Sequence, residues 1–107
     1  MGKAKTYIYD LRTESGDVLG RVVLSDGFYM SVTDYGNFCY WWNNIGDMDI
    51  RQFILSLDSG YFCQKMQNGI SDISSTQKTE RIALRYTMYI LPALKEAIKK
   101  ELKLEEK

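Results

Sequence analysis

The chain contains no histidine, and its two cysteines lie outside any CxxC or CxxH pattern. Since zinc sites are built mainly from cysteine and histidine, a zinc ion would have to use carboxylates alone. Asp47 and Asp49 are close together, but they lack the further oxygen ligands and the distal glutamate of an EF-hand loop. We therefore expect no metal and no cofactor, and we expect Asp47 or Asp49 to cap a helix.

The lack of histidine also removes the usual base for nucleophilic catalysis. Serine and cysteine nucleophiles need an adjacent base, and scattered lysines do not define a Ser-Lys pair. Paired carboxylates could hydrolyse a glycoside, but a chain of 107 residues seldom builds the deep cleft that this chemistry uses. The sequence therefore predicts a protein that is not an enzyme.

The chain has no excess of either charge, because 14 basic residues balance 14 acidic ones. A non-specific nucleic-acid binder normally carries an excess of positive charge, so this class is disfavoured, although local basic patches remain open. The apolar runs are shorter than the ~20 residues that span a bilayer, and the polar start MGKAKTYIYD is unlike a signal peptide. We expect a soluble cytoplasmic protein with no membrane association.

Two cysteines in such a protein are expected to be reduced and buried. Cys39 lies in an aromatic strand and Cys63 follows Phe62, where an inert thiol behaves as a small apolar side chain. A disulfide between the two cysteines is the alternative.

Residues 1–43 show the alternating pattern of short antiparallel strands. Gly16 supplies a positive φ in the first turn, and Asp26-Gly27 is a strong hairpin signal. Gly20 indicates a bulge or a close backbone approach in the second strand. The sequence therefore predicts a four-stranded antiparallel β meander.

After Asn43, apolar residues recur at spacings of three and four, which indicates helices. We expect two short helices, the second capped by Ser59 and ended by Gly69, and then a long helix from Ser75-Thr76. In the first helix, the predicted inward positions are Ile50, Phe53, Ile54 and Leu57, with Phe53 and Leu57 as the anchors. Those predicted for the long helix are Ile82, Tyr86, Tyr89, Ile90, Ala93, Leu94, Ala97, Ile98 and Leu102.

Pro92 lies inside the long helix and lacks the N–H that a continuous helix uses, so a kink or break is expected near residues 89–91. Beyond it, Leu94, Ile98 and Leu102 form a narrow seam that packs on the sheet or pairs with a second copy as a homodimer. The predicted fold is one α+β domain over residues 1–107. It consists of a β meander (1–43) and a helical part (47–107) with two short helices and a long kinked C-terminal helix.

Two adjacent tryptophans point to opposite faces of the fourth strand. Trp42 shares one face with Phe38 and Tyr40, whereas Trp41 shares the other with Cys39. One tryptophan is expected in the core and the other at a partner, and the pattern does not decide which is which. Sheet aromatics can also stack nucleic-acid bases, but the helices need a face to pack on, so core packing is favoured.

A candidate partner-binding patch follows from this arrangement. Tryptophan and arginine are enriched at interface hot spots, and Arg51 begins the helix after the loop that follows the aromatic strand. We predict Trp41, Asn44, Asp47 and Arg51 as the contact residues, with Tyr35 at the rim. Two core tryptophans and a solvated arginine are the alternative.

Residues 40–66 contain a pattern made of Tyr40-Trp41-Trp42, Gly46, the run Ile50-Arg51-Gln52-Phe53-Ile54, Asp58, Tyr61 and Lys65. In this pattern the segment resembles small uncharacterised proteins of bacteriophages and prophages, in which Asp-Phe-Arg is commoner where this chain has Asp49-Ile50-Arg51. The resemblance implies a phage accessory protein that binds a bacterial host or defence complex and modulates or inhibits it. The complex would consist of protein or of protein and nucleic acid, and an anti-CRISPR-like inhibitor is one example. A small nucleic-acid-binding or DNA-metabolism accessory protein is the alternative, and a structural or assembly component is a third.

Overall fold

The computed structural model describes residues 5–68 and 76–106. Its sheet has four antiparallel strands in chain order, namely β1 (Thr6–Arg12), β2 (Val18–Ser25), β3 (Phe28–Thr33) and β4 (Gly36–Trp41). The helices are α1 (Ile50–Ser56), α2 (Ser59–Asn68) and α3 (Thr76–Glu105). The predicted α+β fold and its meander are confirmed. The predicted helix stop at Gly69 and the connector after it lie outside the described residues.

Two glycine-containing positions shape the sheet as the sequence predicts. Asp26 and Gly27 have φ values of 46° and 88°, which is the left-handed backbone that a two-residue hairpin turn requires. At Gly20, a Cβ atom would collide with the backbone of Val32 and Thr33 on β3. The β1–β2 register also shifts beside Gly20, so both the bulge and the close approach are present.

The helices cover one face of the sheet, and aromatic side chains fill the space between them. Tyr29 packs edge-on against Phe62 of α2 with ring centroids 5.5 Å apart, and Phe38 lies 4.2 Å from Tyr86 of α3. The buried Tyr86 hydroxyl hydrogen-bonds to the hydroxyls of both Tyr29 and Ser31. The inner-face aromatics therefore form the core, as expected.

Aspartates cap the two short helices. Asp49 Oδ1 accepts a hydrogen bond from the Arg51 backbone N–H at 2.8 Å. Before α2, Asp58 Oδ1 accepts from the Tyr61 backbone N–H at 2.8 Å. The predicted cap Ser59 is instead the first helical residue, because the aspartate just before it reaches the free N–H groups of the first turn.

Helix α3 differs from its prediction in two respects. It is continuous from Thr76 to Glu105 with Pro92 inside it, so the break does not occur, and the kink stays a prediction. Ile82 and Tyr89 are exposed, whereas Ala83 and Leu91 are buried in their place. The reason is that α3 packs against both α2 and β1, so its buried arc is shifted from the stripe that the sequence suggested.

The seam after Pro92 packs within its own chain. Leu94 and Ile98 are fully buried in the core, and Leu102 is partly buried against it. These side chains are therefore already packed in the core of their own chain. A homodimer through the C-terminal helix stays a prediction and would have to use other residues of α3.

Candidate protein-binding site

The two adjacent tryptophans have opposite environments. Trp42 is 7% exposed and packs against Tyr29, Tyr40 and Phe53. Trp41 is 53% exposed, and its ring stacks on Phe28 of β3 with centroids 5.2 Å apart and an interplanar angle of 5°. Trp42 is therefore the core tryptophan, and Trp41 is the one available to a partner.

Trp41 belongs to an apolar surface on the side of the sheet away from the helices. The register aligns Ile8, Val23, Met30 and Cys39 in one row across the four strands. Phe28 and Trp41 lie opposite each other at the open end of the β3–β4 hairpin. We call this surface the outer sheet face, consisting of Ile8, Val23, Phe28, Met30, Val32, Cys39 and Trp41. All of these side chains except the half-buried Val23 are exposed.

An antiparallel sheet that faces water on one side normally alternates apolar and polar residues. Strand β3 does not, because Phe28, Met30 and Val32 point outward on the face opposite the buried Tyr29. Exposed Cys39 lies in the same surface, so its predicted burial is wrong, whereas Cys63 is buried as expected and both thiols are free. A contiguous exposed apolar patch of this kind makes this face a candidate interaction surface.

A salt bridge lies beside this face. The Arg21 guanidinium on β2 donates from Nε to Asp10 Oδ1 on β1 at 2.6 Å. This hydrogen bond holds the pKa of the Asp10 carboxyl below its usual value and raises that of Arg21. The outer sheet face is therefore an apolar surface bordered by this salt bridge and by Arg12, whose Nη1 donates to the Gly16 carbonyl at 3.1 Å.

A second concave surface adjoins Trp41 at the edge of the sheet. We call it the aromatic cleft, a cavity of about 310 Å³ lined by Tyr40, Trp41, Trp42, Asn43, Asn44, Ile45, Phe53, Tyr61 and Lys65. The Lys65 ammonium lies 5.3 Å from the ring centroid of Tyr61 and 5.8 Å from that of Tyr40. The buried Trp42 Nε1 has no hydrogen-bond acceptor among the described residues.

The structure brings three of the five predicted contact residues to one end of the molecule. Trp41 and Asn44 both line the aromatic cleft. Asp47 lines a neighbouring cavity of about 340 Å³ that shares Ile45 with the cleft. Since Asn44 and Asp47 are exposed, this end of the predicted patch is accessible.

Tyr35 lies elsewhere. It occupies the β3–β4 turn, and Trp41 ends β4 six residues later, about 20 Å away at ~3.3 Å per residue. The Tyr35 ring stacks on Tyr89 of α3 with centroids 4.5 Å apart, and the Arg85 guanidinium lies 5.3 Å above it. Tyr35 is therefore not at the rim of a patch centred on Trp41.

Arg51 is an internal residue with a 6% exposed side chain. Its guanidinium pairs with Asp49 and Glu101, each at 2.8 Å, and with Glu105. It also lies 4.1 Å from the centroid of the Tyr7 ring. These contacts tie the start of α1 to β1 and to the end of α3, so the guanidinium is not displayed to a partner.

Hydrogen bonds within this cluster shift its titration. The bond from Arg51 holds the pKa of Asp49 below its usual value, while the bonds to Asp49 and Glu105 raise the pKa of Arg51. Tyr9 donates to Glu101 Oε1 at 2.6 Å, and burial together with this bond raises the pKa of the phenol. The cluster is thus a network in which Arg51 pairs with three carboxylates and Tyr9 donates to one of them.

Residues 5–68 and 76–106 include no group of three or more His, Cys, Asp or Glu side chains placed to hold a metal ion. In the same residues, no helix combines the length and the apolar character that crossing a membrane requires. A family model described as a phage family matches residues 1–88 of the chain. No curated protein and no solved structure matches it.

Proposed function

The chain belongs to this phage family, and we propose that it is a non-enzymatic accessory protein that binds a bacterial protein or protein–nucleic-acid complex in the host cytoplasm and modulates or inhibits it. The observation that carries this proposal is the outer sheet face, whose apolar side chains are exposed opposite a well-packed core. Binding of this kind needs a shaped surface and no catalytic groups. An anti-CRISPR-like inhibitor of a defence complex is its most specific form.

The size of the outer sheet face indicates how the partner binds. Four strands at ~4.8 Å spacing and about six residues at ~3.4 Å rise give a projected area of roughly 400 Å². A standard interface buries ~800 Å² on each partner. The sheet face therefore supplies about half of such an interface, and we expect the partner to extend over Trp41 onto Asn44 and Asp47.

The charge of this surface indicates which class of partner it fits. Arg21 is already paired with Asp10 and Arg12 donates to the Gly16 carbonyl, so the strands offer few free cations to a phosphate backbone. An apolar protein surface fits better, because burying this patch releases water from apolar side chains. Trp41 is then an anchor of the kind that dominates binding energy at interfaces.

Nucleic-acid binding is the second candidate, and one observation favours it. The stacked and exposed Phe28–Trp41 pair resembles the aromatic platforms on which single-stranded bases stack. Retention on single-stranded DNA that falls steeply with salt would support this candidate, because counterion release controls phosphate-dominated binding. Salt-insensitive capture of a host protein would support the first candidate, a protein-binding accessory protein.

The test uses tagged protein to capture partners from bacterial lysate, with quantification by mass spectrometry. Val32→Lys and Trp41→Ala change exposed side chains of the outer sheet face and are expected to leave the fold intact. Both should lose the captured partner. Leu84→Lys, which changes an exposed apolar residue of α3, is the matched control and should keep it.

Circular dichroism checks that each variant is folded. If the folded Val32→Lys and Trp41→Ala proteins capture the same partner at wild-type strength, the outer sheet face is not the binding surface. Inhibition is tested separately. Cells that express the wild-type protein should lose interference by the captured defence system, whereas cells that express Val32→Lys should keep it.

A further inference from the structure

The aromatic cleft has the composition of a small-molecule site. We propose that it binds an aromatic carboxylate, that is, a single aromatic ring carrying one negative charge. The group could be a free aromatic acid or the C-terminal aromatic residue of a protein, since both present the same chemistry. In the first case the cleft acts independently of the proposed function, and in the second it rests on that function.

The walls of the cleft fit one ring. Trp42 is tilted against Tyr40 with centroids 4.9 Å apart and against Phe53 at 5.3 Å, so the three rings present edges and faces to the same space. Aromatic rings prefer such tilted and edge-on neighbours. The volume of about 310 Å³ is near the lower limit of ~300–1,000 Å³ for ligand cavities, which suits one ring and its acid group.

Lys65 supplies the charge. Of the nine lining residues, it is the charged one, and no carboxylate of the described chain forms an ion pair with it. Its ammonium is held at the cleft by the rings of Tyr40 and Tyr61. One ammonium matches one carboxylate, whereas a phosphate monoester carries about −1.5 to −2 at neutral pH and would be only partly neutralised.

Trp42 adds a hydrogen-bond donor. Its indole is more than nine-tenths buried, and Nε1 has no acceptor in the described chain, although buried donors in proteins nearly always have one. The amides of Asn43 and Asn44 are exposed at the mouth of the cleft. Since Trp42 lines the cleft, we assign its N–H, unpaired in the described chain, as the donor to a ligand oxygen.

The indole N–H of Trp42 is also a convenient reporter. The chain has two tryptophans, so a ¹H–¹⁵N spectrum of the full-length protein should show two indole signals, and Trp41→Phe assigns them. The probes are phenylacetate, its neutral analogue phenylacetamide, and a short peptide ending in phenylalanine with a free or an amidated C-terminus.

Phenylacetate should shift the Trp42 indole signal in a saturable way, and phenylacetamide should bind at least tenfold more weakly. Lys65→Met should lose tenfold or more in affinity, whereas Lys99→Met, an exposed lysine on α3, should change nothing. Dispersion in the same spectra shows whether each variant is folded. Binding of the free-acid peptide but not its amide assigns the group to a protein C-terminus, and binding of phenylacetate alone assigns it to a free acid.

Two results would overturn the proposal. The first is an unshifted Trp42 signal with every probe, which would mean that none of these ligands binds beside the indole. The second is preferential binding of a mononucleotide such as thymidine monophosphate. Val32→Lys separates this test from that of the proposed function, because it should abolish capture of the host protein and leave phenylacetate binding unchanged.

Discussion

Replacing Arg51 tests whether the buried ion-pair network holds the helices to the sheet. Arg51→Met keeps most of the aliphatic stem, which packs in the interior, and removes the guanidinium. Hydrogen bonds to charged groups are worth roughly 1.5–3 kcal/mol each. The Asp49, Glu101 and Glu105 side chains are 33%, 36% and 52% exposed, however, so water replaces much of what each one loses.

The value for exposed pairs, ~0.2–1 kcal/mol, is therefore the better guide for each carboxylate. Three pairs then contribute about 0.6–3 kcal/mol, and the guanidinium over the Tyr7 ring adds ~0.5–1 kcal/mol. We expect Arg51→Met to lower the free energy of unfolding by about 1–4 kcal/mol, a substantial part of the ~5–15 kcal/mol of an ordinary domain.

The assay is urea denaturation at neutral pH, with Arg21→Met as the matched control. Arg21 makes the same kind of guanidinium–carboxylate contact with Asp10 in an exposed setting, so its loss should be much smaller. A loss at Arg51 below about 1 kcal/mol, or one equal to that of the control, would refute the structural role. If Arg51→Met were that stable and yet failed to capture the partner, Arg51 would be a contact residue, as the sequence predicted.

The same network predicts an acid dependence. The bond from Arg51 lowers the pKa of Asp49 in the folded state, so the stability that this group contributes is present above the unfolded pKa of ~3.9. It is lost as the pH falls through the lower folded value. Wild-type protein should therefore lose stability below about pH 4, and Arg51→Met should show less of this loss in urea denaturation.

Three further predictions concern the core and the thiols. Ile54→Ala truncates a fully buried side chain of α1 and should lower the free energy of unfolding by ~2–5 kcal/mol, measured by urea denaturation. Phe53→Ala, at a half-buried position, should lower it by less, and equal losses for the two variants would contradict this packing. Burial raises the pKa of Tyr86 to about 12. The free energy of unfolding should therefore fall between pH 10 and about 12, because tyrosine ionises first in the unfolded chain. A phenolate absorbance titration in which all tyrosines ionise near pH 10 would contradict this prediction. A thiol reagent should modify exposed Cys39 in native protein and buried Cys63 only after unfolding; equal native rates would contradict this placement.

Most of the fold could be predicted from local sequence patterns. The alternation in residues 1–43 gives the four strands, because a two-residue period can be satisfied only by an extended chain with one covered face. Asp26-Gly27 determines the hairpin through its left-handed backbone. The change to a helical period after Asn43 gives the helices, and the Asp49 cap acts on an N–H two residues away. Each of these signals operates over a few residues.

The site was only partly predictable. Alternation places Trp41 and Trp42 on opposite faces but cannot tell which face the helices cover, since that depends on long-range packing. The apolar outward positions of β3, namely Phe28, Met30 and Val32, are the sequence signal of a second apolar face. Their meaning becomes clear only when the structure shows all described helices on the other side of the sheet.

Tertiary structure alone decided the role of Arg51 and the buried arc of α3. Arg51 precedes Glu101 by 50 residues and Glu105 by 54, and no local pattern links them. The carboxylates reach it because α3 passes over β1 and ends beside α1, and the same crossing buries Ala83 and Leu91 while leaving Ile82 and Tyr89 in solvent. The sequence determined which segments are strands and helices, since those choices are local. The fold decided which arginine is internal and which tryptophan is displayed, since burial depends on every element that packs around a side chain.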